Sequence, residues 1–108
     1  MIVTLAERKV ARVARMRAAL DALRDSLAEY ARANGGRFLI FGSAARGTLR
    51  FDSDVDILVD FEASALSRAW SFAESECARL DLTPDVLPLP WMTEAFVERA
   101  CRGAVVLG

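Results

Sequence analysis

Histidine is missing altogether from the 108 residues. Its absence removes imidazole general bases, the Ser–His and Cys–His nucleophile pairs, and nearly every zinc site of the usual kind. Cysteine is scarce. Cys77 and Cys101 stand alone, at no metal-binding spacing, each inside an apolar helical pattern, so both are expected to pack in the core. The three prolines all fall between residues 84 and 90 and leave the rest of the chain free for regular elements. No apolar run approaches the roughly eighteen residues that span a bilayer. Met1–Val10 carries Glu7, Arg8 and Lys9 and has no apolar h-region, so it does not read as a signal peptide, and a cytoplasmic location is the expectation. Any catalysis must therefore run on carboxylates, hydroxyls, arginine and a metal.

What is present suits one globular domain over residues 1–108. The apolar share is 54% and the charged share 27%, which argues against wholesale disorder. A chain of this size buries about two-thirds of its surface, enough for a core without staples. The net charge of −1 hides an asymmetry: residues 1–50 hold ten Lys/Arg against four Asp/Glu, and residues 51–108 hold four against eleven. The basic half could meet phosphates or an acidic partner, or be a solvated helix face.

Periodicity divides the chain into alternating elements. Val13, Met16, Leu20, Leu23, Leu27 and Tyr30 form an apolar stripe that predicts a helix from Thr4 to Ala33, capped by Thr4 with Glu7 and stopped at Asn34-Gly35-Gly36. Arg8, Lys9, Arg12, Arg15 and Arg17 crowd its first half. Strands are expected at Arg37–Phe41 and Val55–Phe61, with a turn, a helical turn at Ala44–Arg46 and a loop between them. A second helix runs from Ser64 or Ser67, either of which can cap it, to Leu80, with Leu66, Trp70, Ala73, Cys77 and Leu80 inward. A short strand is centred on Asp85-Val86-Leu87, confined by its prolines to a few residues or to a sheet edge. Thr93 caps a third helix that ends at Gly103, with Ala95, Phe96, Ala100 and Cys101 as its apolar positions, and Ala104–Leu107 makes a last strand. The fold class is α/β (α+β), a small mixed sheet with helices packed on it, in the order α-β-β-α-β-α-(β).

The chemistry concentrates in Phe38–Phe61. A strand closes on Gly42-Ser43; ten residues later Asp54-Val55-Asp56 opens another. A glycine there permits close approach of backbone to a ligand, and the free N–H groups of such a turn suit an anion. On a strand, residues i and i+2 point to one face roughly 6.6 Å apart. Two carboxylates at that spacing repel by roughly 2.5 kcal/mol at an effective dielectric of about 20. A fold that keeps such a pair usually gives it a cation, and hard oxygen ligands suit magnesium. The turn is neither a Walker A loop nor a nucleophile elbow, because both consensus patterns are absent. Asp52 is read as a turn cap and Asp60 as a strand-end or surface acid.

Gly42, Ser43, Asp54 and Asp56, with Gly-Ser-x-x-Arg-Gly running through Arg46-Gly47, resemble the signature of the polymerase β-like nucleotidyltransferase superfamily. The continuation Ile57-Leu58-Val59-Asp60-Phe61 is similar to that of the minimal nucleotidyltransferase branch. The resemblance implies a third carboxylate on the next strand, for which Asp85 is preferred over Asp81. It further implies two Mg2+ ions held by Asp54, Asp56 and Asp85, with Gly42 and Ser43 on the β,γ-phosphates of ATP. Arg46 is expected to add a charge-assisted bond there, or to pair with Asp52 or Asp54. Members of that branch typically act as antitoxins of a small helical HEPN-family toxin protein, which implies AMP transfer from ATP to a tyrosine of that toxin. A chain this short is expected to borrow its acceptor site from a partner. Two alternatives stay open: a small-molecule nucleotidyltransferase, for instance on aminoglycosides, and a non-catalytic antitoxin acting by direct binding. Nucleic-acid binding is not expected, because no aromatics interleave with the basic run.

Overall fold

A computed structural model describes residues 3–108 of the chain. The long apolar stripe folds as α1 (Leu5–Asn34), with Met16, Leu20, Leu23, Leu27 and Ala31 buried. Thr4 caps it: its hydroxyl accepts the Glu7 N–H at 3.1 Å. Gly35 ends it in the left-handed region at φ +74, where glycine pays no Cβ penalty. Then follow β1 (Arg37–Phe41), the single turn α2 (Ser43–Arg46), β2 (Val55–Asp60), α3 (Ala63–Arg79) and β3 (Pro84–Pro88). A 3-10 turn at Leu89–Trp91 leads into α4 (Glu94–Cys101) and β4 (Val105–Leu107).

The four strands form one mixed sheet in the order β3-β2-β1-β4. β1 pairs antiparallel with β2 and with β4, while β2 and β3 run parallel across the α3 crossover. β3 therefore lies on an edge, where Pro84 and Pro88 cost fewest ladder bonds. Alternation along the strands builds two cores. Phe38, Ile40, Val55, Ile57, Val59 and Val86 face α1 and α3. Leu39 and Leu58 face the other way and pack with Ala100 of α4, beside Phe41, Leu87 and Phe96.

Three local expectations give way to tertiary context. α3 starts one residue before Ser64, after Glu62 and without a side-chain cap. The link from β2 is so short that the Ala65 N–H closes on Glu62 O first. Cys101 and Ala95 are exposed, because α4 rests on the sheet through a single stripe that includes Phe96 and Ala100. Cys77 is buried as expected, and burial, with Glu76 and Glu74 nearby, pushes its thiol up to about 11. Asp52 does not cap its turn: the Ser53 hydroxyl takes the Arg50 N–H at 2.8 Å, and Asp52 faces Arg50 at 3.9 Å. The Ser53 N–H also bonds Arg50 O, and that closure sets the serine over the Arg50 amide.

Candidate active site

Register brings the acids together. The parallel ladder sets Asp56 beside Asp85, and adjacent strands lie about 4.8 Å apart. The antiparallel ladder sets Asp56 beside Phe41, so the turn at Gly42 abuts the same carboxylate. Asp56 and Asp85 share the alternation of Leu58 and Leu87, which places both on the face that α4 occupies. Asp54 stands one residue outside β2 and is exposed. Its charge still reaches Asp56.

Burial pushes the Asp56 carboxyl above the usual carboxylate range, the charges of Asp85 and Asp54 add to that, and so does a hydrogen bond with Asp85; Arg46 opposes them. Carboxylates held this close in a half-buried place favour the neutral form of one of them. Gly42 is the complementary feature. It sits at φ +69, and a Cβ placed on it would run into Asp56 Oδ2. The backbone thus lies directly against the carboxylate, with space that only glycine leaves.

Those features test the site for a divalent ion. Among the described residues no three Asp, Glu, His or Cys side chains close around a common point. Magnesium does not require such a cage: it keeps several waters and takes one or two carboxylates together with substrate phosphates. An open Asp56–Asp85 pair with Asp54 beside it fits that demand, and the all-oxygen donor set suits a hard cation.

The other candidates separate cleanly. Asp81 is turned away: it adopts φ +55 and binds Arg12, Nη1 to Oδ2 at 3.1 Å and Nη2 to the main-chain oxygen at 2.7 Å. Asp60 is held by Arg37 Nε at 2.6 Å at the far end of β2. Ser43 opens α2, whose first turn closes on Gly42 O through the Ala45 and Arg46 N–H groups. The Ser43 and Ala44 amides come before the first N–H that closes on Gly42 O, the position at which helix amides lack an intrahelical acceptor. Arg46 is exposed on α2 and, among the described residues, pairs with neither Asp52 nor Asp54. A cavity of about 230 Å3 adjoins Gly42 and Arg46 and brings in Phe96, Arg99 and Arg102 from α4 and its end. Sequence reasoning missed those arginines; their three-residue spacing on one helix face was the available signal. A groove of about 400 Å3 holding Trp70 and Trp91 opens near the far end of β3 from Asp85.

Residues 20–99 match the family model described as a nucleotidyltransferase domain. A solved structure provisionally named as a minimal nucleotidyltransferase superposes with a TM-score of 0.63 at 26% sequence identity, covering 82% of this chain and 93% of that one. No curated protein matches the chain.

Proposed function

The chain belongs to the nucleotidyltransferase domain family, and on that premise we propose that it moves AMP from ATP to a tyrosine of a helical HEPN-family toxin protein and so silences it. The observation that carries the transfer chemistry is the meeting of Asp56, Asp85 and the Gly42 backbone at one end of the sheet, with Asp54 at its edge.

Asp54, Asp56 and Asp85 are the residues that would hold magnesium, which when bound neutralises phosphate charge and lowers the pKa of an attacking hydroxyl. The chain's own groups do the rest. The turn at Gly42 and Ser43 takes the β,γ-phosphates against backbone N–H groups and the serine hydroxyl. Arg46 adds a charge-assisted bond to the same end. Asp85 accepts the proton of the tyrosine hydroxyl. The tyrosine oxygen bonds to the α-phosphorus, the bond from that phosphorus to the α,β-bridging oxygen breaks, and pyrophosphate departs with the electron pair.

An acceptor delivered by a partner agrees with the surface beside the site. The first turns of α1 expose Leu5 and Val10, and Lys9 covers the Phe51 ring at 4.5 Å. A groove of about 500 Å3 runs there between Val10, Val13, Arg17 and Phe51. Phe51 lies three residues before Asp54, so the groove and that acid share the loop that enters β2. None of Asp54, Asp56 and Asp85 lines the groove at Trp70 and Trp91, so it does not favour a small-molecule acceptor.

The test is to incubate the purified protein with labelled ATP, Mg2+ and the helical protein encoded beside it. Wild type is expected to add one or more AMP units to a tyrosine, and Asp54→Ala with Asp56→Ala to add none. No transfer by wild type, or equal transfer by the double variant, sinks the enzymatic reading.

A further inference from the structure

We propose that the cavity between the end of β1 and α4 is a polyphosphate subsite in which Arg99, with Arg46, grips the terminal phosphates of the nucleotide and then the departing pyrophosphate. The proposal rests on the nucleotidyl-transfer reading and adds to it a residue from an element that lies outside the Phe38–Phe61 stretch.

The geometry is direct. The cavity of about 230 Å3 is walled by Phe41, Gly42, Arg46, Phe96, Arg99 and Arg102. Gly42 is also the backbone against which the Asp56 carboxylate lies, so the cavity and the carboxylates share a wall. Both open on the α4 face of the sheet, as the alternation of Asp56, Leu58 and Leu87 requires.

Charge points the same way. Three guanidinium groups line one small space. Arg102 is engaged by Glu98, Nη2 to Oε1 at 2.9 Å. Arg46 and Arg99 have no carboxylate within ion-pair distance among the described residues. Two of the three arginines thus lack a salt-bridge partner among the described residues, which fits a place where an anion comes and goes. The floor is apolar: the Phe41 and Phe96 rings meet edge to face at 5.9 Å. A low-dielectric wall strengthens each charged contact made above it. Guanidinium forks match phosphate oxygens in pairs, which a single ammonium does not.

Order along the substrate follows. The α-phosphorus must lie at the carboxylates, where the bond is exchanged, and Gly42 separates that point from the arginines. The chain of phosphates therefore runs past Gly42 into the cavity, its terminal oxygens at Arg99. A nucleoside monophosphate has no group to place there.

The experiment is calorimetric titration of the whole protein with ATP, pyrophosphate and AMP in Mg2+. Arg99→Ala is expected to weaken ATP and pyrophosphate by roughly tenfold to a hundredfold, the worth of one charge-assisted hydrogen bond. AMP binding and the melting temperature should not change, because Arg99 is exposed. Arg99→Lys should recover part of the loss, and Arg68→Ala, exposed on α3, should cause none. Unchanged ATP affinity in Arg99→Ala, or an equal loss for AMP, overturns the subsite alone. Absence of any nucleotide binding by wild type overturns the nucleotidyl-transfer reading, and the subsite with it.

Discussion

At Asp56, burial and two neighbouring carboxylates act in one direction, and Arg46 alone opposes them. The folded pKa lies above that of the unfolded chain, so the fold holds this proton more tightly. Ionising Asp56 therefore costs stability, a cost absent below the ordinary carboxylate pKa and complete once pH has risen past the raised one. Asp56→Asn is expected to raise the melting temperature by a few degrees at about pH 7.5, to leave it unchanged at about pH 3, and to abolish nucleotidyl transfer. In wild type, binding of Mg2+ should weaken as pH falls through the raised value, higher on the scale than for an ordinary aspartate. Thermal melts across pH and calorimetric Mg2+ titration check both; an unstabilised or active Asp56→Asn refutes them. The Asp-x-Asp spacing made Asp56 legible as a candidate. Its contact with Gly42 was not, since that depends on β1 meeting β2 in one register.

The element that chooses between Asp81 and Asp85 is β3. Its parallel pairing with β2 runs from Pro84 to Pro88 and carries Asp85 to Asp56, while Asp81 stays in the turn before it. That turn costs something: a non-glycine residue in the left-handed region is strained by roughly 1–2 kcal/mol. The Arg12 pair returns little, because the Asp81 side chain is 93% exposed and such pairs contribute about 0–1 kcal/mol. Asp81→Gly should therefore hold or raise stability, within about 1 kcal/mol, with transfer intact, whereas Asp85→Asn should lose at least about a hundredfold in rate. Denaturant titration and label transfer distinguish them; a dead Asp81→Gly would return that acid to the site. The 3.6-residue stripe of α1 and the prolines around β3 were readable because local periodicity sets them. The exposure of Cys101 was not, since it depends on which stripe of α4 meets the sheet, and the missing cap of α3 was not, since it follows from how short the link out of β2 is.

On the scale of the molecule, the extents of 52 × 28 × 17 Å record a long helix that outreaches its sheet. Burial along α1 begins at Met16, and the turns before it carry Leu5 and Val10 into solvent at 67% and 71% exposure. None of the described helices is long and apolar enough to cross a membrane. The exposed start of α1 is basic and adjoins the loop that enters Asp54, which suits it to an acidic protein surface. Val10→Glu should leave stability within about 0.5 kcal/mol of wild type, since the residue packs against little. It should leave ATP affinity unchanged and weaken capture of the proposed helical partner by roughly tenfold or more. Calorimetry with each ligand measures both, and undiminished capture would remove α1 from the partner surface.

The amino-acid sequence by itself determined the alternation of elements, the placing of Gly42-Ser43 and Asp54-x-Asp56 at strand ends, and the exclusion of histidine chemistry. These are local properties, set by side-chain period and by residue type. Tertiary structure decided which acid stands beside Asp56, that α4 brings arginines to Gly42, and that the first turns of α1 stay uncovered. Those outcomes depend on strand register and on which face of the sheet each helix covers, and contacts between residues distant in the chain fix both.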